Sequence, residues 1–310
     1  MNDSPHSAKA LGVLLALGCV WGSSFLFIKV IVDETGPIEV ATGRLAIGAV
    51  AILSFVAFRR RPVHWTPGIL MKVAFLALLA NIAPFALIAW GQEHIESGTA
   101  SVLNSTMPIF TSVFAAAFLA EERFTPARLA GLMVGFLGVL VLTGKDVLDV
   151  TDSSVLGQFA VIAAAACYSV GSVASRTLLR ATDPLGLSAL QVTMGAVLSI
   201  PVLFAVSGTP DYSLSAEAWL SLLALGAGGT GVAYVAYLWL IDVTGSVRAS
   251  LVTYIIPIVG LFLGWTVLDE GIGLNTLAGS ALIISGVAIV MGGSAPAPKS
   301  PPVPQVVAAD

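Results

Sequence analysis

The chain has 310 residues, of which 57% are hydrophobic and only 10% charged, and its formal net charge is −4. Its mean hydropathy is +0.95. An ordinary soluble domain carries about 25% charged residues and cannot bury this much apolar surface, so the composition excludes that class. The lipid bilayer is therefore the expected solvent and partner for most of the chain.

Ten apolar segments follow one another, each about long enough to cross a hydrocarbon core of ~30 Å as a helix. They span residues 10–32, 38–58, 68–91, 98–120, 128–144, 156–177, 185–206, 217–241, 248–268 and 274–292. Each continues through too many apolar residues for a strand, and the alternation of a membrane barrel is absent. The sequence therefore predicts an all-α integral membrane protein with ten transmembrane helices.

The basic residues predict how these helices are oriented. With the N-terminus inside, eleven of the 14 Lys and Arg residues fall on the inner side, and only Lys29, Arg44 and Lys145 fall on the outer side. This bias predicts cytoplasmic N- and C-termini in a bacterial-type inner membrane. Residues 1–9 are expected to be an N-terminal tail, and the proline-rich residues 293–310 a disordered cytoplasmic tail.

The chain contains an internal duplication, which is best sought before motifs. A shift of 149 residues places Trp90 on Trp239 and carries the third and fourth spans onto the eighth and ninth. The two halves are residues 10–144 and 156–292, joined by an outer loop at 145–155. Because each half has five spans, an odd number, the halves must insert with opposite topology. Such an inverted repeat is typical of transporters with a site near the midplane.

Several motifs carry a family resemblance. The first span reads WGSSFLFIKV, a P…R…G pattern follows at Pro37, Arg44 and Gly48, and Glu121 and Glu270 each end a helix ahead of a glycine-rich one. Together with the duplication, these features resemble the EamA family, the ten-helix branch of the drug/metabolite transporter superfamily. The resemblance spans nearly the whole chain. It implies an inverted-repeat inner-membrane transporter, often exporting amino acids, including aromatic ones, or related metabolites.

The second half departs from this pattern in two places. Cys167-Tyr168-Ser169 stands where the first half has Trp-Gly-Ser, and Gln191 stands where the first half has Arg44. The two halves are therefore not expected to play the same role.

Polar side chains inside spanning helices are costly unless they face the bundle interior or water, so they mark the candidate site. The repeat matches Asn81 with Thr230, and Asn104 with Thr253. Spans 1, 3, 4, 6, 8 and 9 are predicted to line a central substrate cavity, as the resemblance also implies. The predicted cavity residues are Trp21, Ser24, Asn81, Ser101, Asn104, Ser105, Tyr168, Thr230, Tyr234, Tyr237, Thr253 and Tyr254. For the hydroxyl residues, hydrogen bonding back to their own helix is the alternative.

Residues 226–231 read GAGGTG, which matches the dinucleotide fingerprint G-x-G-x-x-G. The stretch lies in one long apolar segment, and no acidic residue follows about 20 positions later, so no nucleotide cofactor is predicted. Close helix packing and a gating hinge at Gly228 and Gly229 are the two remaining interpretations. Pro108 and Pro257 are predicted to kink the fourth and ninth spans.

The charged residues bear on the transport mechanism. No Asp or Glu lies in the middle of a span, which favours facilitated transport or exchange of a neutral or zwitterionic substrate over a proton-driven pump. Lys29 and Arg44 are expected to snorkel to the outer interface rather than to bind a carboxylate. Glu121 and Glu270 are expected to pair with arginines or to cap the next helix.

Rival function classes lack the residues they need. An intramembrane hydrolase needs a nucleophile and a base in the membrane, yet His6, His64 and His94 all lie in connectors or tails. A structural membrane protein leaves the polar residues matched between the halves unexplained. No enzyme activity, cofactor, metal site or nucleic-acid partner is predicted. Amino-acid export is the leading function, with sugars, nucleotide sugars, carboxylates and drugs as alternative cargoes, and the oligomeric state is open.

Overall fold

The structure is a computed structural model that describes residues 5–60, 66–119, 125–144, 152–178 and 183–292. Its main helices, in chain order, are α1 Pro5–Val32, α2 Pro37–Phe58, α3 Pro67–Gln92, α4 Ser97–Phe118, α5 Pro126–Thr143, α6 Ser153–Leu178, α7 Pro184–Ser207, α8 Ala216–Thr244, α9 Val252–Val267 and α10 Leu274–Gly292. Among the described residues there is no strand. Nine of these helices are long and apolar enough to cross a membrane, and α9 is a shorter apolar helix. The predicted all-α, ten-helix fold is confirmed.

Local signals in the sequence explain where many of the helices begin. Proline occupies a first-turn position of α2, α3, α5 and α7, where its missing N–H costs nothing. The side chains of Thr66, Thr125, Asp183 and Ser215 each accept a hydrogen bond from the backbone N–H three residues later. The largest difference from an expected boundary is at α1, which begins at Pro5 and not at residue 10, so part of the predicted N-terminal tail is helical.

The two halves pack against each other in matched pairs of helices. The first helix of each half packs on the fourth helix of the other, so α1 contacts α9 and α6 contacts α4. In the same way α2 packs on α8 and α7 packs on α3, while α2 also contacts α7, and α5 contacts α10. The two five-helix repeats therefore form one interlocked bundle.

The third helix of each half contains a π-helical segment. These segments are Leu78–Ile82 in α3 and Ala224–Val232 in α8. The duplication relates residues 77–82 to 226–231, so the two π segments occupy equivalent positions. A π segment inside an α-helix changes the direction of the side chains around it and is frequent at functional sites.

The GAGGTG stretch therefore lies inside a membrane helix and is not a nucleotide loop. Its glycines permit close packing, because a Cβ added at Gly226 would lie 2.6 Å from Ile47 Cβ and 3.0 Å from the backbone oxygen of Arg44. The hinge at Gly228 and Gly229 stays a prediction.

Both proline-containing spans are interrupted, but at different points. In α4 the break falls at Ser105–Thr106, so Pro108 is in the first turn of the restarted helix, where proline fits. In the second half a short helix, Ser246–Ala249, precedes α9, and Pro257 lies inside the continuous α9 helix. The kink expected at Pro108 thus corresponds to a break just before it. The kink at Pro257 stays a prediction, and the interruption of this span lies at residues 250–251.

Candidate functional site

The candidate site lies at mid-height of the bundle, where α2 and α7 meet the π segments of α8 and α3. Asn81 and Thr230, which the repeat matches, both lie near the middle of their helices and are completely buried. The polar residues around them come from both repeats. This position is where an inverted-repeat transporter is expected to hold its substrate.

Arg44 is part of this site, and its expected position at the outer interface was wrong. Its side chain is only 7% exposed. Arg44 Nε donates a hydrogen bond to Thr230 Oγ1 at 2.9 Å, and its guanidinium carbon lies 3.8 Å from the centroid of the Phe85 ring. The buried position of Arg44 does not follow from hydropathy: Arg44 lies in the first half of α2, and Thr230 of the π segment in α8 contacts it inside the bundle.

A buried guanidinium in a membrane span needs compensation. A charge near the middle of a spanning helix costs ~2.5–3.5 kcal/mol on insertion scales, and a cation–π contact returns about 0.5–2 kcal/mol. Among the described residues the recorded ion pair joins Lys29 to Asp33, and no carboxylate pairs with Arg44. Arg44 therefore supplies positive charge to the site, with no counter-ion in the part of the chain that the structure describes.

A second polar pair repeats this arrangement without the charge. Gln191 Nε2 donates to Asn81 Oδ1 at 2.7 Å. The duplication matches Gln191 with Arg44 and Asn81 with Thr230, so the two hydrogen bonds are equivalent. Each bond joins one repeat to the other at mid-height. Asn81 Nδ2 is buried and has no hydrogen-bond partner among the described residues.

Two tyrosines complete the centre of the site. The Tyr234 hydroxyl faces the Asn81 amide and the charge of Arg44. Tyr168 also interacts electrostatically with the charge of Arg44. The Tyr168 ring meets the Phe85 ring edge-on, with the ring centroids 6.2 Å apart. Four of the predicted cavity residues (Asn81, Tyr168, Thr230 and Tyr234) are thus brought together with Arg44.

Three further predicted residues, Trp21, Ser24 and Tyr237, lie beside the π segment of α8. Trp21 Nε1 donates to the backbone oxygen of Gly229 at 2.9 Å, and the Trp21 and Tyr237 rings meet edge-on with centroids 5.1 Å apart. Ser24 donates to the backbone oxygen four residues earlier, and its Oγ lies 3.3 Å from the position of a Cβ at Gly229. Ser24 therefore contributes to close packing of α1 on α8.

The predicted residues of α4 and α9 are not brought to Arg44. The hydroxyls of Ser101, Ser105 and Thr253 donate to carbonyls three residues earlier, at 2.6–2.7 Å, as in the back-bonding alternative. Tyr254 packs in a separate apolar cluster with residues of α4, α5 and α10. Asn104 Oδ1 is buried and has no partner within the described ranges. No recorded hydrogen bond or ring contact in the described structure joins these five residues to Arg44.

A separate pocket of about 560 Å³ opens at one end of the bundle, which the predicted orientation makes the outer end. We call it the end pocket. Its charged lining residues are Lys29, Asp33, Glu93, His94, Glu96 and Glu270. Lys29 remains at this end, because its Nζ donates to the backbone oxygen of Gln92 at 2.7 Å and lies 3.9 Å from Asp33 Oδ1.

Glu270 joins the two repeats beside the end pocket. Its Oε1 accepts from Ser97 N at 2.6 Å and its Oε2 from Gly98 N at 2.9 Å. A carboxylate at the N-terminus of a helix accepts hydrogen bonds from the backbone N–H groups that have no partner within the helix. Its negative charge also interacts favourably with the positive end of the helix dipole. The cap expected from Glu270 is therefore formed on α4 of the other repeat, not on the following helix. Its counterpart Glu121 lies outside the described residues.

The neighbouring Glu96 gives a prediction about pH. Burial raises the pKa of Glu96, the charge of Glu270 raises this pKa further, and a backbone hydrogen bond with Gly271 and the charge of Lys29 oppose the rise. Because the pKa is higher in the folded state, the stability contributed by the neutral carboxyl is present at low pH and is lost as pH rises above 4.5, the ordinary pKa of a glutamate, and through the higher pKa of the folded state.

Glu96→Gln is therefore expected to raise the melting temperature in detergent at about pH 7 and to leave it nearly unchanged at about pH 4. Comparing the variant with wild type at each pH cancels the contribution of Glu93, whose pKa burial also raises. The same shift at both pH values would contradict this account.

Comparisons with known proteins agree with the fold. The model of the EamA-like transporter family matches residues 9–144 and 155–292. The uncharacterized transporter YoaV of Bacillus subtilis is 28% identical over 279 residues, covering 90% of this chain and 95% of its own length. The uncharacterized inner membrane transporter YedA of Escherichia coli K12 is 26% identical, covering 90% of this chain and 87% of its own length.

Two other similarities are to a relative with a named cargo and to a solved structure. A protein of Streptantibioticus cattleyicolor named a probable terminal-alkyne amino-acid exporter is 29% identical over 289 residues, covering 91% of this chain and 93% of its own length. A solved crystal structure superposes with a TM-score of 0.65 at 21% identity, covering 91% of this chain and 97% of that one, which supports the fold alone. With both of its halves matched by one family, this chain belongs to the EamA-like transporter family, within the drug/metabolite transporter superfamily.

Proposed function

We propose that this inner-membrane transporter exports amino acids, or closely related small zwitterionic metabolites, by alternating access. The observation that carries the proposal is the pair of equivalent hydrogen bonds at mid-height, Arg44 to Thr230 and Gln191 to Asn81. Each bond crosses from one repeat to the other, so a molecule bound between them contacts both repeats. Movement of one repeat against the other then exposes that molecule to either side.

The end pocket supports a gate on one side of this site. Glu270 of the second repeat holds the N-terminus of α4 of the first repeat through two short hydrogen bonds. Opening at this end separates the repeats and must break or rearrange these bonds. With both termini in the cytoplasm, as the Lys and Arg distribution favours, this gate faces the outside.

The chemistry of the site supports a small zwitterion as cargo. Trp21, Tyr168 and Tyr234 offer ring surfaces, and Arg44 offers one positive charge. A polyanion would require several cationic side chains at mid-height. The name of the Streptantibioticus cattleyicolor relative, an amino-acid exporter, agrees with this cargo class.

The distribution of acidic residues supports facilitated transport or exchange. No Asp or Glu occupies the middle of a span, where proton-driven carriers commonly keep a relay group.

Counterflow in proteoliposomes tests the proposal. Vesicles loaded with an unlabelled amino-acid mixture are diluted into labelled L-phenylalanine, L-leucine or L-threonine without an ion gradient. Accumulation of label above that in protein-free vesicles is the expected result. If no amino acid enters while the protein elutes as a folded species, amino-acid export is wrong, and sugars and nucleotide sugars are the next cargoes to test.

The same assay distinguishes the two groups of predicted cavity residues. Tyr168→Ala is expected to lower the initial rate roughly 2- to 10-fold, because an aromatic contact contributes about 0.5–1.5 kcal/mol. Tyr254→Ala makes the same chemical change outside the site and is the matched control, expected to keep near wild-type rates. Equal losses in the two variants, at equal amounts of folded protein, would contradict the assignment of Tyr168 to the site.

A further inference from the structure

Arg44 has hydrogen-bonding capacity that its contacts within the protein do not use. A guanidinium carries five N–H donors in a planar fork. In the described structure the recorded hydrogen bond of Arg44 uses Nε alone, and the Phe85 ring covers one face of the group. No carboxylate of the described residues pairs with it. The terminal nitrogens are therefore left for another acceptor.

Helix packing does not require the positive charge of Arg44. The second repeat makes the equivalent contact with Gln191, a neutral amide, which reaches Asn81 at 2.7 Å. A glutamine at position 44 would thus be sufficient to join α2 to the π segment of α8. The cost of burying a charge at this place indicates that the charge serves a ligand.

A second N–H donor, Nδ2 of Asn81, lies near this charge. Asn81 is completely buried, its Oδ1 is occupied by Gln191, and its Nδ2 has no partner within the described residues. The Tyr234 hydroxyl interacts with both the Asn81 amide and the charge of Arg44, so the two groups lie close together around Tyr234. Within the part of the chain that the structure describes, this cluster holds a cation and an amide N–H donor directed at Tyr234, but no carboxylate.

We propose that Arg44 and Asn81 form a subsite for the carboxylate of the transported molecule. A carboxylate matches the guanidinium fork with two parallel hydrogen bonds, and Asn81 Nδ2 supplies a third donor. The cargo must then carry a carboxylate, and the rest of the molecule extends toward Tyr168, Tyr234 and the π segments. The inference rests on the proposed function, which identifies the rest of the cargo as an amino acid or a related metabolite.

Binding to the purified full-length protein in detergent tests this subsite. The probes are L-phenylalanine, L-leucine and L-threonine, each with its carboxamide and its deaminated acid, and the readout is the ligand-induced rise in melting temperature over a concentration series. We expect the acids to bind and the carboxamides to bind at least ~10-fold more weakly. A carboxamide that binds as tightly as its acid would overturn the subsite.

Variants at position 44 separate ligand binding from folding. Arg44→Gln copies the residue of the second repeat and is expected to lose at least ~10-fold in affinity for the acids while melting near wild type without ligand. Arg44→Lys keeps the positive charge but loses the planar pair of N–H donors, so we expect its affinity for the acids to lie between those of wild type and Arg44→Gln. Arg128→Gln, which removes another buried arginine on α5, is the matched control and is expected to bind normally. Wild-type affinity of Arg44→Gln for the acids would overturn the subsite.

Binding of the same amino acids, carboxamides and deaminated acids also distinguishes a failure of this inference from a failure of the proposed function. If only the deaminated acids bind, and Arg44→Gln abolishes their binding, the subsite is supported while amino-acid export is wrong. If no probe binds the folded wild type, both are wrong. Should Arg44→Gln fail to fold, the comparison of acid with carboxamide in the wild type decides.

Discussion

Replacing Gly286 by leucine is expected to prevent α10 from packing on α5 and to abolish recovery of folded protein. A Cβ at Gly286 would lie 2.6 Å from Gly135 N and 2.7 Å from the backbone oxygen of Gly131. These are backbone atoms, so no side-chain rotation relieves the clash. Overpacking in a core costs about 1–3 kcal/mol even where side chains adjust, and a rigid backbone contact should exceed this range. Size-exclusion chromatography of the detergent-extracted protein measures the folded fraction.

The matched control for this change is Gly12→Leu on α1. A Cβ at Gly12 would meet no atom within 4 Å, so the same substitution should leave the folded fraction near wild type. Recovery of Gly286→Leu at the level of this control would show that α5 and α10 do not require the close contact.

Thr230→Val is expected to destabilise the protein and to slow transport. The change keeps the shape of the side chain but removes the hydroxyl that accepts the hydrogen bond from Arg44 Nε at 2.9 Å. Leaving a buried charged donor without a partner costs about 1–3 kcal/mol or more. Because Thr230 also orients the guanidinium, the counterflow rate should fall in addition to the melting temperature.

Thr42→Val tests whether that loss comes from the hydrogen bond. Thr42 is buried on the same helix as Arg44, and its Oγ1 has no partner among the described residues. Removal of this hydroxyl should therefore be neutral or stabilising. Equal destabilisation by the two substitutions would indicate that the contact between Arg44 and Thr230 contributes little.

The helices were predictable because lipid imposes a simple rule on the sequence. A spanning helix must be apolar over about 20 residues, so hydropathy and connector composition located all ten segments. The predicted bounds 38–58 and 274–292 agree with α2 and α10 to within one residue. The duplication was equally visible, because matched residues such as Trp90 and Trp239 keep their spacing.

The centre of the site was only partly predictable, because hydropathy does not show which face of a helix meets which neighbour. Asn81 and Thr230 were identified as polar residues matched by the repeat. The place of Arg44 near one end of an apolar segment predicts an interfacial position, and the place of Tyr254 in the ninth span predicts a position in the cavity. The pairing of Arg44 with Gln191 in the duplication was the one signal that pointed to the interior.

The π segments and the cap by Glu270 were not predictable from the residues alone. One π segment contains four glycines, whereas its counterpart in α3 reads LLANI, so no shared composition marks them. The hydrogen bonds of Glu270 cross 173 positions of the chain to Ser97. Such a contact depends on the packing of the two repeats and not on local sequence.

Crystallographic localisation of a brominated form of the transported amino acid tests the central claim most directly. The account predicts an anomalous peak at mid-height, between α2, α3, α6 and α8, with the carboxylate of the ligand on Arg44. A ligand bound only in the end pocket, among Glu93, Glu96 and Glu270, would contradict a substrate site at the π segments.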